Sequence, residues 1–164
     1  MDERLRIMVV DDELIVRESL YHWFKKAGHV VEAASSGMEA LEILEKKPFE
    51  VLFVDMKMPR MNGLDLLKRV KENYPDTMVI IITAYGSIET SVEAMKLGAT
   101  DYLLKPFKPD QLALVLEKIA RERKLTSDYQ YVRGLLKEIT RFDNMIGQSP
   151  SMKAILPHTE GRPQ

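Results

Sequence analysis

The chain has 164 residues, is 45% hydrophobic and 30% charged, and carries 24 Lys and Arg against 25 Asp and Glu. A formal net charge of −1 offers no global basic excess for nucleic acid, and zero cysteines exclude a disulfide framework, a thiolate metal site and thiol chemistry. The N-terminus lacks a secretory pattern and no apolar stretch nears the roughly 18 residues of a membrane span, so the expectation is a cytoplasmic protein of one domain plus an appendage.

Residues 5–10 (Leu-Arg-Ile-Met-Val-Val) are apolar and rich in β-branched side chains, which predicts a first strand ending on Asp11-Asp12-Glu13. Leu14, Leu20 and Phe24 recur at helical spacing, and Gly28 stops that helix. Residues 30–34 read as a second strand. Ser36 and Glu39 have capping-box spacing and open a second helix through Leu41, Ile43 and Leu44, ended by Pro48. Residues 51–54 form the third strand and deliver Asp55 into a turn marked by Pro59 and Asn62-Gly63. Leu64, Leu67 and Val70 mark a third helix, closed at Tyr74-Pro75. Residues 78–82 (Met-Val-Ile-Ile-Ile) are the most uniformly apolar run, as expected at the centre of a sheet covered on both faces. A turn over 83–87 leads to a fourth helix with Ile88, Val92 and Met95 on one face and Gly98 at its end. Residues 101–104 are the fifth strand. Lys105-Pro106 follows, and Pro109 opens a fifth helix whose Leu112, Leu116 and Ile119 face the sheet.

Five strands alternating with five helices give an α/β fold with a parallel sheet and right-handed crossovers. Five such units in about 120 residues match a flavodoxin-like, doubly wound sheet of order 2-1-3-4-5, with active groups gathered at the carboxyl ends of the strands. The fifth helix has no evident stop, and an extended C-terminal linker helix follows from it. Leu125, Tyr129, Val132, Leu136 and Ile139 step by 4, 3, 4 and 3, a heptad seam. The charged stretch Arg121-Glu122-Arg123-Lys124 separates this seam from the sheet-facing register. The seam lies beyond what the domain could cover, which favours a dimerising two-stranded coil over a solvated helix packed back on its own domain. Gly134 weakens the helix, the pattern breaks from Arg141, and the Pro- and Gly-rich tail at 157–164 reads as disordered.

Asp11 and Asp12 end the first strand, Asp55 the third, Thr83 the fourth and Lys105 the fifth. Read singly, Asp55 starts a turn, Asp12 caps a helix, Thr83 is a β-branched strand residue and Lys105 a solvated charge. Read together, they meet along one edge of a doubly wound sheet. Three carboxylates in one cleft repel unless a cation sits among them, and an all-oxygen set suits a hard ion such as Mg²⁺. Asp55 is then a plausible phosphoryl acceptor, with Lys105 a point charge for a phosphate oxygen and Thr83 a hydroxyl donor. A cis peptide at Lys105-Pro106 would aim the lysine into the cleft.

Asp11-Asp12, Asp55 with Met58-Pro59 and Asn62-Gly63, Thr83-Ala84 and Lys105-Pro106-Phe107 resemble a response-regulator receiver domain of two-component signalling, over residues 5 to about 122. The resemblance implies that Asp55 accepts a phosphoryl group from a histidine kinase. It also implies that Asp11, Asp12, Asp55 and the backbone carbonyl of Lys57 hold Mg²⁺. By the same resemblance, Thr83 and Tyr102 are a switch pair and small Ala84 flanks the acceptor. Such a domain is no enzyme beyond self-phosphorylation from small phosphodonors and autodephosphorylation.

Residues 98–107 and the stretch 145–152 (Met-Ile-Gly-Gln-Ser-Pro-Ser-Met) resemble nitrogen-regulator-type sigma-54-dependent transcriptional activators. The implied organisation is a receiver over 1–122, a helical linker with a coiled-coil dimerisation seam over 123–141, and the start of a truncated AAA+ domain with a disordered tail over 142–164. The chain carries no phosphate-binding G-x-x-x-x-G-K-[ST] loop, so ATP, sigma-54 polymerase and DNA would be engaged by domains absent from it. An aspartyl-phosphate phosphatase wants its nucleophile and a second acid two residues apart after the first strand, whereas Asp11 and Asp12 are adjacent. A flavin-binding module wants a hydroxyl- and glycine-rich phosphate loop where Asp11-Asp12-Glu13 stands.

Overall fold

The computed structural model describes residues 4–84 and 86–146. In chain order the elements are β1 (Arg6–Val10), α1 (Leu14–Lys26), β2 (Val30–Ala34), α2 (Gly37–Lys46), β3 (Val51–Asp55), α3 (Gly63–Asn73), β4 (Met78–Thr83), α4 (Ile88–Lys96), β5 (Asp101–Leu104) and α5 (Pro109–Ile146). The five strands form one parallel sheet in the order β2-β1-β3-β4-β5. The expected α/β class, strand order and extended C-terminal helix are all present.

Strand side chains alternate between two apolar layers. Met8, Val10, Leu52, Val54, Val79 and Ile81 pack with Leu44 of α2, Leu66, Leu67 and Val70 of α3, and Ala94 of α4. Ile7, Val9, Val51, Phe53, Ile80 and Ile82 pack on the other face with Leu20 and Phe24 of α1 and Leu112, Val115 and Ile119 of α5. Because both faces are covered, β1, β3 and β4 can be apolar at nearly every position instead of alternating with polar residues. Phe24 and Phe53 stack across the sheet–helix boundary at 4.7 Å between ring centroids, and burying each ring stabilises the fold by about 2 kcal/mol.

Some helix readings differ from the structure. Leu14 does not share the buried face of Leu20 and Phe24; it is 56% exposed. Six residues of helix turn it a third of a revolution away from Leu20. Ile88, Val92 and Met95 do share one face of α4, as their spacing implies; that face is exposed, and Ala94 is the helix's buried residue. The pattern break at Arg141 does not end α5, which continues to Ile146; residues 147–164 of the expected AAA+ start and tail lie outside the described residues. Ser36 does cap α2, accepting from the Glu39 amide, but Glu39 reaches back to the amide and hydroxyl of Ser35.

Backbone contacts divide the chain into two compact units, residues 1–119 and 120–164. In the second unit α5 carries Leu125, Tyr129, Val132, Leu136 and Ile139, all exposed. Among the described residues no helix is long and apolar enough to cross a membrane.

At the amino-terminal edge of the sheet, the Leu5 amide donates to His29 Nδ1 at 3.1 Å. Burial holds the His29 imidazole below its ordinary pKa of 6.5, so the folded state favours the neutral, hydrogen-bond-accepting ring. That contribution is intact above the unfolded pKa and is lost as pH falls toward the lower folded value. Relative to a His29→Leu variant, the parent should lose denaturation midpoint as pH drops from about 7 to about 5. Parallel profiles for the two proteins would show that His29 contributes nothing.

Candidate functional site

Strand register builds the site. β1 and β3 pair Val10 with Val54, so the residues that follow, Asp11 and Asp55, emerge side by side. β3 and β4 pair Asp55 with Ile82, which places Thr83 one step further out. β4 and β5 pair Thr83 with Leu104, and the Lys105 amide then donates to the Thr83 carbonyl at 2.8 Å. The Lys105–Pro106 peptide bond is cis. Asp11 and Thr83 are 1% exposed and Asp55 5%. Buried polar groups of this kind need partners.

The partners are mostly each other. One carboxylate oxygen from each of Asp11, Asp12 and Asp55 lies within 4.8 Å of the others. Lys105 Nζ stands 3.2 Å from Asp11 Oδ2, 3.4 Å from Asp55 Oδ1 and 3.2 Å from Glu13 Oε1. Burial pushes the Asp55 carboxyl up to about 6; the Asp11 charge adds to the rise, and Lys105 partly opposes it. Asp11 is also raised by burial, against the Glu13 amide and Lys105. Burial lowers the Lys105 pKa, but the Asp11 and Asp55 charges outweigh it and leave the ammonium above its ordinary value. One lysine therefore faces more negative charge than it can neutralise. An all-oxygen, carboxylate-rich set with this excess fits a hard divalent cation such as Mg²⁺.

Asp12 is not a helix cap. Glu13 is the N-cap of α1, without a side-chain cap hydrogen bond, and its amide donates to Asp11 Oδ1 at 2.9 Å. Asn62-Gly63 is more than a turn, because Asn62 forms a reciprocal capping box with Asp65 at the start of α3. A Cβ on Gly63 would sit 2.6 Å from the Asp55 carbonyl oxygen and 2.8 Å from Met56 Cα. Only glycine lets α3 start this close to the backbone of the acid. Lys57 and Ala84 are exposed in the loops after β3 and β4. Tyr102 is half-buried against the apolar layer shared with α2, α3 and α4, and its hydroxyl lies 3.0 Å from Thr90 Oγ1.

Over residues 7–117 the sequence matches the response regulator receiver domain family. This chain belongs to that family. Among curated relatives it is 36% identical over 152 residues to the alginate biosynthesis transcriptional regulatory protein AlgB of Pseudomonas aeruginosa, covering 92% of this chain and 33% of AlgB. It is 36% identical over 155 residues to the transcriptional regulatory protein ZraR of Escherichia coli, covering 94% and 34%. The chain thus spans about a third of the length of these relatives. Among solved structures, NtrX from Brucella abortus superposes with a TM-score of 0.75 at 32% identity, over 79% of this chain and 30% of that one. The Vibrio cholerae chemotaxis protein CheY4 superposes with a TM-score of 0.68 at 34% identity, over 71% and 99%.

The receiver structure brings Asp11, Asp12, Asp55 and Lys105 together, sets Thr83 at the adjoining strand end, and leaves Tyr102 half-buried with its hydroxyl at Thr90. Sequence reasoning missed three neighbours. Glu13 shares Lys105, and Arg17 Nη1 donates to the Asp11 carbonyl at 2.7 Å; their spacing of four on one helix face was the available signal. Thr90 had no such signal, because its role arises from contact across elements. It forms the capping box of α4 with Ser87 and also meets the Tyr102 hydroxyl.

Tyr102 and the first turn of α4 are therefore joined through a single hydroxyl. Tyr102→Phe removes one hydrogen bond while leaving the capping box in place. Amide exchange in the first turn of α4 should speed up about fivefold, the equivalent of ~1 kcal/mol; unchanged exchange there would show that the contact carries no coupling.

Proposed function

We propose that this receiver is a phosphorylation-operated switch: Asp55 takes a phosphoryl group from a histidine kinase in an Mg²⁺-dependent reaction. The observation that carries the reading is the buried Asp55 carboxylate, with Asp11 and Asp12 oxygens within 4.8 Å and Lys105 Nζ at 3.4 Å. Asp11, Asp12, Asp55 and the Lys57 backbone carbonyl would hold the Mg²⁺, which supplies neutralisation of charge on the phosphoryl oxygens. An Asp55 carboxylate oxygen attacks phosphorus, the nitrogen–phosphorus bond of the phosphohistidine breaks, and the histidine leaves with that electron pair. Lys105 exchanges its carboxylate contacts for a phosphoryl oxygen, and Thr83 donates its hydroxyl to another. Ile15, Val16 and Leu20 of α1 and Pro106 and Phe107 after β5 line an open apolar groove beside Lys105, which suits approach of a protein donor.

Phosphorylation replaces the single carboxylate charge of Asp55 with an acyl phosphate of up to two, a net gain of about one negative charge with new acceptor oxygens at the strand ends. With Thr83 drawn to them, Tyr102 and α4 are the elements poised to respond. The linker helix pairs two copies. The domains that follow it in sigma-54-type activators would engage ATP, sigma-54 polymerase and DNA. The domain itself turns over no substrate beyond its own aspartyl phosphate. A cytoplasmic location fits a kinase-fed transcriptional switch.

Incubation with acetyl phosphate and Mg²⁺ should give a retarded band on a Phos-tag gel. Asp55→Asn or EDTA should abolish it, whereas Lys57→Ala should keep both the band and Mg²⁺ binding. A band that survives Asp55→Asn, or no band from the parent, contradicts the reading.

The raised pKa of Asp55 has a stability counterpart. The carboxyl is comfortable in the folded state when protonated and costly when ionised, so the penalty is absent below the unfolded pKa and present above about 6. In EDTA, Asp55→Asn should raise the melting temperature by a few degrees at pH near 7, and the gain should shrink toward pH ~4. Differential scanning at the two pH values checks this; an equal gain at both, or a loss at neutral pH, rules it out.

A further inference from the structure

Arg17 stands four residues after Glu13, and its amide closes the first turn of α1 on the Glu13 carbonyl at 3.0 Å. A cation this near the amino end of a helix opposes the helix dipole. Nothing local offsets it, because α1 has no acidic residue in its first turn and no side-chain cap. Arg17 is half-buried, and its partners lie along the carboxyl edge of the sheet. Nη1 donates to the Asp11 carbonyl at 2.7 Å. On the α2 side, the Glu39 carboxyl is held below its ordinary value by the Ser35 amide and hydroxyl and, against burial, by the Arg17 charge.

Asp11 is tied at every polar atom. Its amide donates to the Ala34 carbonyl at 3.1 Å, Oδ1 accepts from the Glu13 amide at 2.9 Å, and Oδ2 accepts from Lys105 Nζ at 3.2 Å. The remaining atom is the carbonyl oxygen, which belongs to the peptide that leads to Asp12. Among the described residues no backbone amide reaches it, so Arg17 is its donor. A buried carbonyl without a donor is costly, and a charged N–H is the stronger kind of partner.

Asp12 is built the opposite way. Its side chain is exposed and, among the described residues, makes no hydrogen bond or ion pair. One of its oxygens nevertheless lies within 4.8 Å of those of Asp11 and Asp55. Backbone alone delivers it there. The orientation of the Asp11–Asp12 peptide therefore decides whether the third carboxylate joins the cluster, and Arg17 grips that peptide by its oxygen.

We propose that Arg17 is a positioning residue for the metal-binding acids: by holding the Asp11 carbonyl it fixes the Asp11–Asp12 peptide and keeps the Asp12 carboxylate on the cluster. The inference rests on the Mg²⁺ reading above and adds a residue that supplies no ligand of its own. Its effect has the opposite sign to that of its field. The guanidinium charge repels a divalent cation, so through space alone its removal would tighten Mg²⁺ binding. Through the peptide, its removal frees the Asp12 carboxylate and weakens Mg²⁺ binding.

Mg²⁺ titrations of the full chain, followed by amide NMR shifts so that weak binding is read, separate the two. Arg17→Gln should weaken Mg²⁺ binding about tenfold, as loss of a partner behind a metal ligand does. In an Asp12→Asn background the same change should cost little further, because the carboxylate it positions is already gone. Arg17→Lys keeps the charge but loses the planar fork, so its loss should be smaller and should also vanish in the Asp12→Asn background. It carries the same comparison if Arg17→Gln does not fold. Melting temperatures in EDTA record any general loss of stability separately.

Tighter binding by Arg17→Gln would show that only its field is felt. Unchanged binding with a lower melting temperature would show a purely structural arginine, and an equal loss with and without the Asp12 carboxylate would place the effect elsewhere. Each of these overturns the proposal while leaving the Mg²⁺ reading intact. A parent that binds no Mg²⁺ would refute that reading and this inference with it.

Discussion

Two buried carboxylates held side by side set the terms for the rest of this domain. Asp11 and Asp55 are adjacent because β1 and β3 pair Val10 with Val54 and the next residue of each strand is an acid. Their mutual repulsion, with both side chains largely buried, is an energy the fold must contain, and Lys105 alone offsets only part of it. The sheet contains it by rigidity. β3 lies between β1 and β4, both faces are covered by helices, and α3 closes tightly behind Asp55 at Gly63. A cluster with surplus negative charge, held by the sheet and built from oxygen ligands, has the chemistry that a hard cation requires.

Much of this was legible in the sequence, for a physical reason. Parallel strands buried on both faces write themselves as unbroken apolar runs, so residues 51–54 and 78–82 announced the centre of the sheet, and the polar residues ending each run announced its carboxyl edge. Where the reading missed, the cause was geometry that sequence spacing leaves open. Leu14 sits at the entry of α1, a third of a turn away from the face that Leu20 and Phe24 bury. On α4 the larger apolar side chains look like a core stripe, yet the helix approaches the sheet through Ala94, and Ile88, Val92 and Met95 face outward. Thr90 was invisible because its meaning depends on a tyrosine from another strand.

The two features that lead away from the cleft are built differently. On the receiver, Tyr102 connects β5 to the first turn of α4 through Thr90 and Ser87, a short chain of hydroxyl and amide contacts at a helix end. Helix ends are among the least stable parts of a domain, which makes this a low-cost place for a charge change in the cleft to be felt. On the linker, the information is a pattern rather than a contact. The spacing of Leu125, Tyr129, Val132, Leu136 and Ile139 is that of a heptad seam, and all five are exposed.

The central claim is that Asp55 is held in a strained electrostatic state that a divalent cation relieves. Its most direct test is the pH titration of the Asp55 carboxyl carbon, followed by NMR on selectively labelled protein with and without Mg²⁺. The account predicts a metal-free midpoint of about 6 that moves clearly downward when Mg²⁺ is added. A midpoint near the ordinary aspartate value of 3.8, unmoved by Mg²⁺, would contradict it.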